Sequence, residues 1–156
     1  MDITRNTNYL KNNLVRFRGR VETSELRNVL NELNRHVESE GAKRIGSIIT
    51  AVHSLHLETK VSDIEIFLPI DKKIPSTDEH KYMDKFELHN CITAHFKGGS
   101  CFLPNLYTEI YHRAKNMKLE LEMPFYNVFL KDPNEIFGTT LVHLDIYVTV
   151  KNKASG

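Results

Sequence analysis

The chain has 156 residues, of which 40% are hydrophobic and 26% are charged. This length predicts one compact domain whose core forms without disulfides or a structural metal. The formal net charge of +1 gives no reason to expect nucleic acid as a direct partner. No stretch has the length and apolarity of a membrane span, so a membrane partner is not expected either.

The cysteine content and the first residues both favour a cytoplasmic protein. The two cysteines, Cys91 and Cys101, are too few for a disulfide framework and are expected to be reduced thiols. The opening sequence MDITRNTNYLKNN lacks the apolar segment of a signal peptide.

The first half of the chain predicts a strand, a helix and two further strands. Apolar and polar residues alternate over residues 9–21, which indicates a strand. A helix follows, because apolar residues recur at intervals of three and four, and Gly41 can end it in a left-handed conformation. Residues 45–58 and 61–70 predict two strands joined by a short turn. The apolar stripe of the helix consists of Leu26, Val29, Leu30, Leu33 and Val37.

The second half repeats this order after a charged linker at residues 71–85. A strand is predicted at 86–97, and Pro104 can begin the next helix because its missing amide is not needed in the first turn. Strands are predicted at 119–130 and 139–150, with a turn at 131–134 between them. The apolar stripe of this second helix consists of Tyr107, Ile110, Tyr111 and Ala114.

The two halves can be aligned with each other. Residues 64–68 (IEIFL) match residues 144–148 (LDIYV) in chemical type, and the offset between matched elements drifts only from 77 to 81 residues. Loop insertions explain such drift. The chain therefore predicts a single domain, 1–156, made of two β-α-β-β repeats at about 9–70 and about 86–150. The matched pairs are Phe17 and Phe96, Leu26 and Tyr107, Val29 and Ile110, Ser47 and Pro124, and Ile66 and Ile146.

Four short motifs in this order resemble those of the GyrI-like superfamily. They are HFKGG at 95–99, Y-x-x-I-Y at 107–111, P-x-Y at 124–126 and EIFLPI at 65–70. That superfamily includes the effector-binding domains of bacterial multidrug-responsive transcription activators and a small gyrase-inhibitory protein. The resemblance implies an α+β fold in which two pseudo-symmetric halves form one curved antiparallel sheet. It also implies two main helices on one side of that sheet and a ligand groove between the halves.

One position departs from the pattern of the drug-binding members. There the P-x-Y motif is usually followed by Glu, whose carboxylate pairs with cationic ligands, but here the position is Asn127 and its repeat partner is Thr50. A buried carboxylate would favour a cation, and neither of these side chains carries charge. The related catalytic branch, which hydrolyses strained electrophilic compounds, also relies on carboxylates in the groove. Both the cation-binding and the hydrolase readings are weakened by this substitution.

An aromatic groove with neutral polar groups is the predicted ligand site. Such a groove suits a small, flat, largely apolar molecule. The alternative is that the helical tyrosines simply belong to the core, as apolar stripes usually do. The predicted ligand-binding residues are Phe17, Thr50, Phe96, Tyr107, Tyr111, Tyr126 and Asn127.

The histidines do not predict a metal site. His53 and His56 are three apart on a strand and so face opposite sides, while His95 and His143 are scattered in the sequence. His112 is equally isolated. No phosphate-binding loop or dinucleotide fingerprint occurs, so no cofactor is predicted.

The charged residues and Cys101 offer only weak candidates for chemistry. Arg16 and Arg18 share one strand face with Arg20 and could hold an anion, although a solvated face is the plainer interpretation. Glu65 and Asp145 correspond in the two repeats and could form an acid–base couple, but alternation favours solvent exposure. Cys101 precedes a helix, where a thiolate is favoured, but no base accompanies it in the sequence.

The leading hypothesis is a non-enzymatic, regulatory protein that binds a small apolar or aromatic molecule between its two repeats. The first alternative is a protein-interaction module, an inhibitor or adaptor that uses its concave face or a sheet edge. A weaker alternative is a hydrolase of electrophilic small molecules.

Overall fold

A computed structural model describes residues 1–56, 59–131 and 141–151 of the chain. It contains strands and helices in the predicted order, and each of the two helices follows a single turn of 3-10 helix. The elements are β1 Ile3–Glu22, α1 Leu26–Ser39, β2 Ile49–His56, β3 Val61–Pro69, β4 Lys81–Gly99, α2 Leu103–Asn116, β5 Leu121–Phe129 and β6 Leu141–Val150. The α+β composition is confirmed. Within the described residues, neither helix is long and apolar enough to cross a membrane.

Several element boundaries differ from the prediction. Strand β1 begins at Ile3 rather than residue 9, and β4 begins at Lys81 rather than residue 86, so the linker is shorter than predicted. Strand β2 starts only at Ile49, because Gly46 has a φ of +81° and interrupts the extended chain. The predicted turn at 131–134 lies almost entirely outside the described residues, as do the first two residues of the predicted last strand.

The strands form a closed antiparallel barrel, which corrects the prediction of one curved antiparallel sheet. Their order around the barrel is β1-β3-β2-β5-β6-β4, and β4 pairs again with β1. Closure depends on the length of β1, which pairs with β3 through residues 14–22 and with β4 through residues 3–16. Because the start of β1 is polar, a hydrophobicity pattern does not reveal its pairing with β4. Among the described strands no edge is left unpaired, so an interaction through a free sheet edge is not favoured.

The barrel has a pseudo-two-fold arrangement of its elements. Strands β1-β3-β2 of the first half correspond to β4-β6-β5 of the second, and Thr50 lies opposite Asn127 where β2 meets β5. The helices begin at Leu26 and Leu103, the same separation of 77 residues as between Thr50 and Asn127. This register agrees with the predicted Ser47–Pro124 offset. The division of the chain into repeats at 9–70 and 86–150 stays a prediction.

Three of the predicted matches are wrong, namely both matches in the helices and the one between the first strands. The predicted match of Val29 with Ile110 is displaced by one helical turn, because Ile110 instead corresponds to Leu33. Both of these residues are fully buried against the barrel. In β1, Phe17 pairs with Ile66, whereas Ile146 pairs with Ala94, so Phe17 corresponds to Ala94 and not to Phe96.

Three apolar clusters form the core. One cluster lies inside the barrel, because all six strands contribute to it, for example Leu14 of β1 and Val128 of β5. The other two lie on the outer surface, one beneath α1 and one beneath α2. Alternation along each strand separates them, so Leu14 points inward while Val15 packs beneath α1. Full burial of a side chain such as Leu33 stabilises the fold by about 1.5–3 kcal/mol.

A histidine pair anchors the segment before β4 to helix α1. The rings of His36 and His80 lie 4.9 Å apart, and Nε2 of His36 is buried without a hydrogen-bond partner. Burial and the neighbouring His36 lower the pKa of His80, although Glu79 and Glu32 oppose this shift. The folded protein therefore resists protonation of His80 where the unfolded chain accepts it.

We expect this pair to make the protein less stable in mild acid. Below about pH 6.5 the unfolded chain binds a proton that the folded His80 refuses, so the free energy of unfolding falls by up to about 1.4 kcal/mol per pH unit until the folded pKa is reached. Above that range the effect is absent. Urea unfolding at pH 7.5 and pH 5.5 should show a smaller pH dependence for His80→Gln than for the parent protein. His112→Gln, at an exposed position on α2, is the control and should leave the pH dependence nearly unchanged.

Candidate functional site

A chain of neutral hydrogen bonds lies at the junction of β2 and β5. The hydroxyl of Tyr107, on α2, donates to Oδ1 of Asn127 at 2.7 Å. Nδ2 of Asn127 donates in turn to Oγ1 of Thr50 at 3.4 Å. Thr50 and Asn127 are buried, so these contacts replace water that the side chains would otherwise require. We call the Tyr107–Asn127–Thr50 chain, together with Phe125, the seam site.

The seam site carries no charge near neutral pH. Burial raises the pKa of Tyr107 to about 12, although its hydrogen bond with Asn127 opposes the shift. The amide of Asn127 and the hydroxyl of Thr50 do not ionise in this range. The site can therefore donate and accept hydrogen bonds, but it offers neither a carboxylate for a cation nor a general base.

An aromatic stack forms the apolar part of the seam site. The rings of Tyr107 and Phe125 are stacked, with centres 4.8 Å apart and planes inclined by 22°. Both rings are half-buried. Sequence reasoning did not select Phe125, but its position two residues before Asn127 on a strand places it on the same face. Alternation along β5 could have identified it.

The structure brings together Tyr107, Asn127 and Thr50, but it spreads the other four predicted residues. Tyr126 comes directly before Asn127 on β5, so it points to the opposite face, into the barrel, where its ring centre lies 5.5 Å from that of Phe86. Tyr111 is 48% exposed on α2. The remaining two, Phe17 and Phe96, pack in the separate clusters beneath α1 and α2. As ligand-binding residues all seven stay predictions.

A buried ion cluster inside one end of the barrel corrects the expectation that Glu65 faces solvent. The Glu65 side chain is only 8% exposed, and its Oε2 accepts a hydrogen bond from Nε of Arg16 at 2.6 Å. Its other oxygen contacts Nε2 of His53. Arg16 therefore does not lie on a purely solvated face, because β1 and β3 are neighbours and bring it to this carboxylate.

The second repeat has a histidine cluster at the corresponding place, although the sequence suggested that these histidines are scattered. Nδ1 of His95 lies 2.8 Å from Oδ1 of Asp145. Nε2 of His95 lies 3.1 Å from Nε2 of His143. Strands β4 and β6 bring these residues together, since His95 is the direct partner of Asp145 and His143 is two residues before it. Asp145 is therefore paired rather than simply solvated.

The two thiols are free and differ in environment. Cys91 is buried inside the barrel, and burial raises the pKa of its thiol. Cys101 is exposed in the turn that precedes α2. In the described part of the chain, no hydrogen bond joins the Cys101 thiol to a base that could support nucleophilic catalysis.

The fold is shared with solved structures, although the sequence is distant from them. No protein-family model matches the sequence, and no curated protein matches it either. The chain resembles EcmrR as seen by cryo-EM in the EcmrR–DNA complex within EcmrR-RPo, with a TM-score of 0.70, 13% identity, and 94% of this chain aligned to 58% of that one. It thus spans a little over half of EcmrR.

The aligned part of EcmrR is illustrated by a second structure. The crystal structure of the EcmrR C-terminal domain gives a TM-score of 0.69 at 12% identity, with 98% of this chain covering 100% of that domain. An uncharacterized conserved protein from Listeria innocua gives a TM-score of 0.55 at 10% identity, with 93% of each chain covered. At such low identities the likeness shows the fold alone.

Proposed function

We propose that the protein is a non-enzymatic regulatory module that binds a small, flat, uncharged aromatic molecule at the seam site. The observation that carries this proposal is the neutral Tyr107–Asn127–Thr50 chain beside the Tyr107–Phe125 stack. A planar ligand can extend that stack, and the amide of Asn127 can donate to a carbonyl or ring nitrogen of the ligand. Such a combination of apolar surface and a few directed polar groups is typical of small-molecule sites.

Two further points support a regulatory role. The fold is that of the EcmrR C-terminal domain, and the motifs resemble those of GyrI-like effector-binding domains. EcmrR itself has been solved in complex with DNA. We therefore propose that ligand binding, rather than chemistry on the ligand, is the task of this domain, and that a DNA-binding partner or segment would transmit the signal.

The expected ligand is neutral because nothing in the seam site compensates a charge. A cation brought to the buried Asn127 would lose hydration without gaining a counter-ion, and an anion would meet no cation there. Neutral hydrogen bonds contribute about 0.5–1.5 kcal/mol each. Most of the affinity must therefore come from the apolar contact with the aromatic rings, and the polar chain selects the orientation.

A ligand screen with two matched variants tests the proposal. Planar aromatic compounds, in neutral and cationic versions of equal size, are added while the melting temperature is followed. We expect neutral members to raise the melting temperature, because a ligand that binds only the folded state stabilises it. Tyr107→Phe removes the hydroxyl that orients Asn127. It should lower the free energy of unfolding by about 1–2 kcal/mol and weaken the ligand response.

Tyr111→Phe is the matched control, since Tyr111 lies one turn further along α2 and is half exposed. It should change neither the stability nor the ligand response. Equal behaviour of the two variants, or a response confined to cationic compounds, would contradict the proposed site.

A further inference from the structure

The histidine cluster of the second repeat has the geometry of a metal-chelating pair. His95 and His143 lie on the neighbouring strands β4 and β6, and their Nε2 atoms are 3.1 Å apart. The His95 side chain is 56% exposed, so an ion could reach it directly from solvent. We propose that these two imidazoles bind one borderline divalent transition-metal ion, of the Zn²⁺, Ni²⁺ or Cu²⁺ class, with water completing its coordination.

The distance between the nitrogens fits a shared ion. If both nitrogens bind at about 2.05 Å from the metal, a separation of 3.1 Å corresponds to an angle of about 98° at the ion. This value lies between the right angle of square-planar or octahedral coordination and the tetrahedral angle. Imidazole suits zinc, nickel and copper alike, so the geometry does not exclude any of the three.

The separation of the two ring centres also agrees with a shared ion. Each ring centre lies about 1.2 Å behind its nitrogen, so two rings aimed at one ion with that angle would have centres about 4.9 Å apart. The observed separation of the ring centres is 4.8 Å. A straight N–H···N hydrogen bond would instead hold them about 5.5 Å apart. The observed separation is therefore compatible with two nitrogens that bind one ion in front of both rings.

Asp145 prepares His95 to act as a ligand. Its Oδ1 lies 2.8 Å from Nδ1 of His95, so it accepts the Nδ1 hydrogen and leaves the lone pair of Nε2 on the side that faces Nε2 of His143. A carboxylate that orients a ligating histidine in this way is common at protein metal sites and increases the basicity of the ligand. Asp145 also supplies the negative charge that partly offsets the positive charge of the ion.

The surrounding charges act in both directions. Burial, His95 and the cations Lys97 and Lys131 lower the pKa of His143, whereas Asp145 raises it. The positive charges of the two lysines also oppose a nearby metal ion, so we expect a moderate affinity.

The first repeat provides an internal comparison. The place of His95 is occupied there by Arg18, and that of His143 by Asp63, with Nη2 of Arg18 lying 3.2 Å from Oδ2 of Asp63. The two opposite charges neutralise each other, so this pair needs no bound ion. The pair in the second repeat consists of two imidazoles whose Nε2 atoms face each other, and an ion bound between them would be held by both. In the described residues no group of three or more such ligands converges, so the proposal is limited to these two protein ligands.

Calorimetric titration of the intact protein with ZnCl₂ and NiCl₂ tests the proposal, together with Cu²⁺ electron paramagnetic resonance. We expect one site at pH 7.5, a Cu²⁺ spectrum with coupling to two nitrogens, and loss of at least ten-fold in affinity for His95→Gln and for His143→Gln. Asp145→Asn should weaken binding about ten-fold or more by acting through His95. His89→Gln, an exposed histidine on the same strand as His95, should bind as the parent does.

Two outcomes would overturn the proposal. One is no binding above that of the His95→Gln, His143→Gln double variant. The other is binding that survives both single substitutions, which would place the ion elsewhere. Thermal unfolding without metal shows separately whether each variant is folded. Neither outcome bears on ligand binding at the seam site, because that site contains no histidine.

Discussion

Replacing Glu65 with Ala is expected to lower the free energy of unfolding by about 3 kcal/mol. Glu65 is the buried member of the ion cluster, with a side chain 8% exposed, whereas Arg16 is 30% exposed. Removal of the carboxylate leaves the guanidinium of Arg16 facing the barrel interior without its partner. Breaking a buried pair on one side usually costs about 3–5 kcal/mol, and the partial exposure of Arg16 places the expected loss at the lower end.

Urea unfolding of three variants measures this effect and separates its causes. Asp63→Ala removes the neighbouring carboxylate, which pairs with the more exposed Arg18, and should cause a much smaller loss because exposed pairs contribute little. Arg16→Met combined with Glu65→Leu removes both charges and should recover more than half of the loss, since no unpaired ion then remains. A loss for Glu65→Ala no larger than that for Asp63→Ala would show that the cluster is not effectively buried.

The ion cluster illustrates what the sequence could and could not predict. Alternation along a single strand correctly assigned Arg16 and Glu65 each to one face of its own strand. It could not show that both residues lie on the same side of the sheet, because that depends on the pairing of β1 with β3. The prediction that Glu65 faces solvent failed for this reason. His95 and His143 were likewise brought together by strand pairing and not by sequence spacing.

The seam site was predictable to a greater extent because it lies where matching strands of the two halves, β2 and β5, pair with each other. Aligning the halves pairs Thr50 with Asn127, and the structure makes them direct partners. Tyr126 was predicted to line the groove as the tyrosine of the P-x-Y motif, but successive strand residues point to opposite faces, so it cannot share the face of Asn127. Closure of the barrel was not predictable, because residues 3–8 are mostly polar and carry no core pattern. Their pairing with β4 is formed by backbone hydrogen bonds, which hydrophobicity does not reveal.

Replacing Asn127 with Glu should change the ligand preference of the seam site from neutral to cationic compounds. The resemblance to GyrI-like drug-binding domains implies a Glu at this position. In this chain the hydroxyls of Tyr107 and Thr50 surround it and can both donate to a carboxylate. The buried charge should lower the free energy of unfolding by about 2–3 kcal/mol in the absence of ligand. A planar cation should restore much of that loss, since it supplies the missing counter-ion.

Asn127→Gln is the matched control for this substitution, because Gln and Glu have the same length and shape and differ in charge. With the ligand panel described above, Asn127→Glu should favour the cationic over the neutral member of each pair by at least ten-fold, about 1.4 kcal/mol. Asn127→Gln should keep the neutral preference. If the two variants share one ligand profile, charge at this position does not determine selectivity and the ligand binds away from the β2–β5 seam. If the profiles separate as expected, the absence of an acid at Asn127 and Thr50 explains why this protein selects uncharged molecules.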